Sequence, residues 1–98
     1  MVVSTPWGKP DGIAEIADGI TFYSTPSHGG FHLSADRLAK IDPRARACAA
    51  KWSHGFGESW FEEDCAASAV VLAFPEYFKP LEVERAMVIA NHPSMTWR

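Results

Sequence analysis

His28 and His32 lie four residues apart in YSTPSHGGFHLS (23–34), with Ser24 and Ser27 close by and Gly29-Gly30 between them. Further along, Glu62, Glu63 and Asp64 stand in a row. Two histidines and a carboxylate are a set that binds a divalent metal or moves a proton. A serine beside a histidine raises nucleophilic chemistry. Paired glycines can turn bare amides towards a phosphate. An acidic triplet can hold a cation or receive the arginines and lysines of a partner.

Each chemistry meets a plainer reading. Gly29-Gly30 rules out a helical histidine pair of the HExxH kind. In a hairpin His28 and His32 could still converge, with Glu63 or Asp64, on a metal-assisted hydrolase or nuclease-like site. That needs residues 28–32 and 62–64 to meet, and nothing in the sequence places them together. Otherwise His28 is a solvated turn residue and His32 bonds a neighbour. Ser27 is adjacent to His28, a poor geometry for a nucleophile and its base, and GxSxG is absent. Walker and Rossmann glycine spacings are missing too, and a turn with positive φ explains the glycine pair. Three consecutive acidic residues spread over about 200° of a helix, so at most two point one way.

The elements that must position these residues follow from patterning. Residues 4–12, STPWGKPDG, carry two prolines and two glycines and read as an irregular arm anchored by Trp7. IAEIA (13–17), Asp18-Gly19 and ITFYST (20–25) read as a hairpin. Pro26 stops the second strand, Ser27-His28-Gly29-Gly30 turns, and Phe31-His32-Leu33 returns as a third strand. Alternation puts Phe31 and Leu33 on one face and His32 on the other. Ser34 is an N-cap for a short helix to about Ile41, and Asp42-Pro43 start another that carries Ala45, Cys48, Ala49 and Trp52. SHGFGES (53–59) is a loop. Ser59 and Glu62 form a capping-box pattern before a helix predicted over 60–74, with the acidic triplet at its positive end. From Ala66 to Phe74 only Ser68 is polar, so this helix should be the buried, central one. Pro80 opens a last helix with an inner stripe of Leu81, Val83, Ala86, Met87 and Ala90.

Strands first and helices after give an α+β fold: a small antiparallel sheet of about three strands with helices on one face. The expected organisation is a single domain, 1–98, with an arm (1–12), strands (13–33), helices (34–92) and a tail (93–98). A hydrophobic share of 47% with 21% charged residues is ordinary for a packed chain and excludes a disordered one. The net charge of −3, without a basic run, argues against direct nucleic-acid binding and allows a basic protein partner. Cys48 and Cys65, with no CxxC, read as small buried residues, or as a disulfide in an oxidising compartment. MVVSTPWGKP has neither the charge nor the apolar stretch of a signal peptide, and the apolar run 66–75 is too short to span a membrane. A cytoplasmic protein without a cofactor is expected.

TPWGKPD (5–11), YSTPSHGGFHLS (23–34) and WFEEDCAASAVVLAFPEYF (60–78) together resemble an uncharacterised domain of phages and other bacterial mobile elements. Its pattern runs T-P-W-G, then S-T-P-S-H-G-G-[FY]-H-L-S, then W-[FY]-E-E-D-C and an alanine- and valine-rich helix. The shared positions are Ser24, Thr25, Pro26, Ser27, His28, Gly29, Gly30, His32, Trp60, Glu62, Glu63, Asp64 and Cys65. Ala66 stands where the family often has another acidic residue, which weakens a carboxylate-cluster mechanism. The resemblance implies a context, because small inhibitors of restriction and CRISPR systems are common cargo of mobile DNA. The resulting expectation is a protein that binds and occludes a host defence effector. Its contact surface would comprise Ser27, His28, Gly29, Gly30 and His32 with Glu62, Glu63 and Asp64. Of Trp52, Phe56, Trp60 and Phe61, most should be core, and one or two left exposed would anchor a partner or a second copy.

Overall fold

The computed structural model describes residues 4–63 and 66–91. Asp64, Cys65 and the tail 93–98 therefore lie outside the described residues, and with them the Cys48–Cys65 alternative. The fold is α+β, built on an antiparallel sheet in the order β1 (Gly12–Ala17), β2 (Ile20–Ser24), β3 (Gly29–Leu33), β4 (Trp60–Glu62). The helices are α1 (Ala35–Leu38), α2 (Pro43–Trp52), α3 (Ala67–Ala73) and α4 (Pro80–Ala90), with a 3-10 turn at Pro75–Tyr77.

Asp18-Gly19 makes the tight connection between β1 and β2, with Gly19 at a φ of 84°. The turn is clasped by the start of α1. Ser34 N–H donates to the Gly19 carbonyl at 2.9 Å, and Arg37 Nε donates to the Asp18 carbonyl at 2.9 Å. The same guanidinium lies 5.0 Å from the Phe74 ring and 5.1 Å from the Tyr77 ring, so one arginine ties the hairpin to the distal helices. Ser34 and Asp42 cap α1 and α2 through bonds to Arg37 N–H and Arg44 N–H, and Pro80 opens α4, as their sequence positions predict.

Cross-strand partners share a face, and the face alternates along each strand. The rows Ile20–Leu33 and Phe22–Phe31–Phe61 make the inner face. Ile20, Phe31, Leu33 and Phe61 form one core with Ala45 and Ala49 of α2, Val70 and Val71 of α3, and Ala86 and Ala90 of α4. The rows Thr21–His32–Trp60 and Tyr23–Gly30–Glu62 make the outer face.

Four expectations are corrected. The sheet has four strands among the described residues, because 60–62 is a strand and not the start of a helix. Trp60-Phe61 has strong β preference, and pairing there satisfies the free edge of β3: Leu33 N–H bonds the Ser59 carbonyl at 3.0 Å and Glu63 N–H bonds the Gly29 carbonyl at 2.8 Å. Ser59 and Glu62 thus belong to a ladder, not a capping box, and the acidic residues Glu62 and Glu63 do not sit on a helix dipole. The buried helix is shorter, Ala67–Ala73, with Ala67 through Val71 all buried. On α4 the inner stripe is Val83, Ala86 and Ala90, whereas Leu81 and Met87 face outward.

Gly29 and Gly30 are the fourth correction. They lie within β3, both buried, and neither has a positive φ. The turn before them is Thr25–His28, closed by Thr25 N–H on the His28 carbonyl at 2.8 Å. Thr25 Oγ1 donates to that carbonyl at 2.6 Å and accepts from His28 N–H at 3.1 Å. Thr5-Pro6-Trp7-Gly8 repeats the device: Thr5 Oγ1 donates to the Gly8 carbonyl at 2.6 Å and accepts from Trp7 N–H at 3.2 Å. Both threonines are buried. The glycines are needed for space. A Cβ on Gly30 would fall within the Trp7 ring's contact radius and 2.5 Å from the Phe61 carbonyl oxygen; one on Gly29 would lie 3.0 Å from Glu63 Oε2 and from the Phe22 ring.

Gly30→Ala is expected to destabilise the chain by about 1–3 kcal/mol, the usual cost of overpacking, and by more than Gly29→Ala, whose nearest atoms, on Glu63, Phe22 and the Tyr23 backbone, stand at 3.0–3.1 Å. Urea midpoints of the two variants check the order.

Candidate functional site

Trp60 is only 8% exposed, yet it stands apart from the main core, on the outer face of the sheet. Aromatic rings from four other segments cover it. His32 of β3 is 4.5 Å away between centroids, Tyr23 of β2 5.3 Å, Trp7 of the arm 6.0 Å and Phe56 of the α2–β4 loop 6.2 Å. Trp7 and Phe56 meet Trp60 edge-on, the favoured aromatic geometry.

The backbone places each ring. The threonine turn at 5–8 projects Trp7 onto the flat patch left by Gly30. The loop after α2 reverses through His54, Gly55 and Gly57, with φ values of 52°, 87° and 95°. Ser53, fully buried, pins it with Oγ 3.1 Å from the Ala50 carbonyl and 2.5 Å from the Gly57 carbonyl. This loop sets Phe56 at the rim of the cluster, 43% exposed. Ile13, paired with Tyr23 on the same face, is 59% exposed. The outer face is thus a packed aromatic floor with two exposed apolar side chains at its rim and Glu62 in the row of Tyr23 and Gly30.

The β3–β4 pairing brings together the two segments that carried the candidate residues. Glu62 lies opposite Gly30, and Glu63 bonds the Gly29 backbone. Ser27 and His28 are exposed in the turn at the same end of the sheet. The side chains of Glu63 and His32 do not converge. Glu63 Oε2 lies over Gly29 on the face that carries Phe22, whereas His32 lies against Trp60 on the other. Among the described residues no three His, Cys, Asp or Glu side chains are placed to hold a metal ion. Burial lowers the His32 pKa from its ordinary 6.5, favouring the neutral imidazole against Trp60. Burial raises the pKa of the half-buried Cys48 thiol, the opposite of an activated nucleophile. No helix among the described residues is long and apolar enough to cross a membrane.

Sequence reasoning missed the parts played by Trp7, Tyr23 and Phe56 in one cluster. A signal was present in the repeated Thr-Pro, which marks two copies of one turn and so gives the TPWG arm a defined shape.

A family model described as a domain of unknown function, DUF7007, matches residues 1–97, and the chain belongs to that family. No curated protein matches the sequence, and no solved structure matches the fold.

The depressed His32 pKa ties stability to pH. The unfolded chain takes up the proton first, so the stabilisation is complete above about pH 6.5 and is lost as pH falls through the folded value. Between about pH 7 and 5, His32→Gln should show a shallower fall in thermal midpoint than the parent chain. Equal slopes would mean that His32 titrates as a solvated histidine.

Proposed function

We propose that this DUF7007 member acts by binding, as a small phage or mobile-element protein that occludes a component of a host defence system inside the bacterial cell. The observation that carries the binding reading is the outer sheet face. Aromatic side chains there are locked by mutual packing and by the threonine turns, and Phe56 and Ile13 stand exposed at the rim. A preorganised aromatic floor with a protruding apolar side chain is the usual physical form of an interface hot spot, because little side-chain entropy is lost on docking. The exposed Ser27-His28 turn and Glu62 in the row of Tyr23 and Gly30 border this face and suit a rim of hydrogen bonds and charge contacts.

The chemistry-bearing residues support the same direction. Gly29 and Gly30 make room for packed neighbours, His32 packs on Trp60, and the backbone of Glu63 extends the ladder. These are framework roles, which leave the surface as the functional element. The defence-system target rests on the family resemblance and on the small acidic character of the chain.

Immobilised chain incubated with lysate of a bacterial host should retain one partner in stoichiometric amount. Phe56→Ala should weaken that retention by at least about tenfold while moving the unfolding midpoint little, since Phe56 is a rim residue. Recovery of no partner, together with no effect of the expressed protein on phage infection or plasmid transfer, would contradict the proposal.

A further inference from the structure

β1 is an edge strand in an unusual position. Its partner is β2, and on its other side no strand runs among the described residues. Ile13, Ala14 and Glu15 are all exposed. Three consecutive residues of a strand point to alternate faces, so the middle of β1 is uncovered on both faces, and no strand among the described residues pairs its outer edge. Only its end, Ile16 and Ala17, reaches the core. An edge strand presents a row of unpaired N–H and C=O groups, which are a template for another extended chain.

The charge along this edge is mostly negative, with Lys9 exposed just ahead of it in the arm. Asp11, Glu15 and Asp18 are spaced along the strand and its ends, and all three are exposed. From Pro10 to Asp36 the chain has no lysine or arginine. Arg37 is the next cation, and its Nε and guanidinium are engaged with Asp18 O, Phe74 and Tyr77. A second copy of β1 laid antiparallel on the first would set these carboxylates against each other, a cost that natural edges use to prevent self-pairing. An extended segment carrying lysine or arginine meets the opposite situation: its backbone completes the ladder while its cations meet Asp11, Glu15 and Asp18.

We infer that β1 receives a basic, extended segment of a partner protein as a fifth strand of the sheet. Backbone pairing supplies the register, the carboxylates select basic over acidic segments, and Ile13 offers an apolar contact on the Tyr23 side. The inference deepens the binding reading above and rests on it, giving the partner a definite chemistry.

The probe is a nine-residue peptide of alternating valine and lysine, with a valine–glutamate peptide of the same pattern as control, added to the 15N-labelled full chain. The basic peptide should slow amide exchange at alternate residues of Gly12–Glu15, the regular part of β1 ahead of the bulge between Glu15 and Ala17, and the acidic one should not. Glu15→Lys should weaken binding of the basic peptide at least about tenfold, and binding should weaken as salt rises from about 50 to 300 mM. Protection spread evenly over the acidic surface, equal binding of both peptides, or indifference to Glu15→Lys would overturn the inference. Protection of β1 in a dimer without peptide would overturn it in favour of a second copy. The two readings fail separately. A partner held equally well by the parent chain and by Glu15→Lys removes the fifth strand but keeps the binding function, whereas absence of any partner removes the binding function whatever the peptide does.

Discussion

The Trp7 ring occupies the place where a side chain on Gly30 would begin, and the rest of the outer face is arranged around that contact. Three segments distant in the sequence meet there: the 5–8 turn, the buried glycines of β3, and Trp60 on β4. Each needs the others. Without the threonine turn, Trp7 has no fixed approach. Without a bare strand backbone, it has no seat. Without Trp60, it has no apolar wall to meet edge-on, a contact of about 0.5–1.5 kcal/mol beyond simple burial. A short chain thereby gains a second small apolar cluster on the side of the sheet that the helices leave uncovered.

This division of the sheet into two apolar faces explains why so many chemically suggestive residues prove to be framework. The inner face buries Phe31 and Phe61 against the helices, with Phe22 packed half-buried beside them. The outer face uses His32 as one wall of an aromatic box, where its neutral form fits best. The glycines serve both sides, Gly29 towards Phe22 and Gly30 towards Trp7. Exposed among the described residues are the rim of the aromatic face, the 25–28 turn, the middle of β1 and the outward side of α4 with Leu81, Met87 and Val88. In the proposed binding role, a packed aromatic floor would concentrate binding energy on few side chains, and the edge of β1 would add backbone contacts.

Much of the fold is legible in the sequence where local chemistry and tertiary packing agree. Asp18-Gly19 between alternating segments gives the hairpin, and Ser34, Asp42-Pro43 and Pro80 mark helix starts. The sequence misleads where one pattern fits two structures. Ser59-x-x-Glu62 matches a capping box, yet the same residues hold Trp60 and Phe61, and an unpaired edge on β3 outweighs a local cap. Gly29-Gly30 matches a positive-φ turn as well as a strand crossed closely by another ring, and only the position of Trp7 decides between them. The repeat of Thr-Pro at 5–6 and 25–26 is visible in the sequence, but its meaning depends on both hydroxyls reaching a carbonyl three residues ahead. The aromatic cluster was the least legible feature, because Trp7, Tyr23, His32, Phe56 and Trp60 come from five separate segments and share no periodicity.

The central claim is that Gly30 is glycine because Trp7 lies on it. A double-mutant cycle in urea with Trp7→Ala, Gly30→Ala and the combined variant measures this directly. With the indole gone, the added methyl loses one of its two obstacles, so Gly30→Ala should cost at least about 1 kcal/mol less in the Trp7→Ala background than in the parent chain. Strict additivity of the two costs would contradict the account and place the origin of the glycine elsewhere.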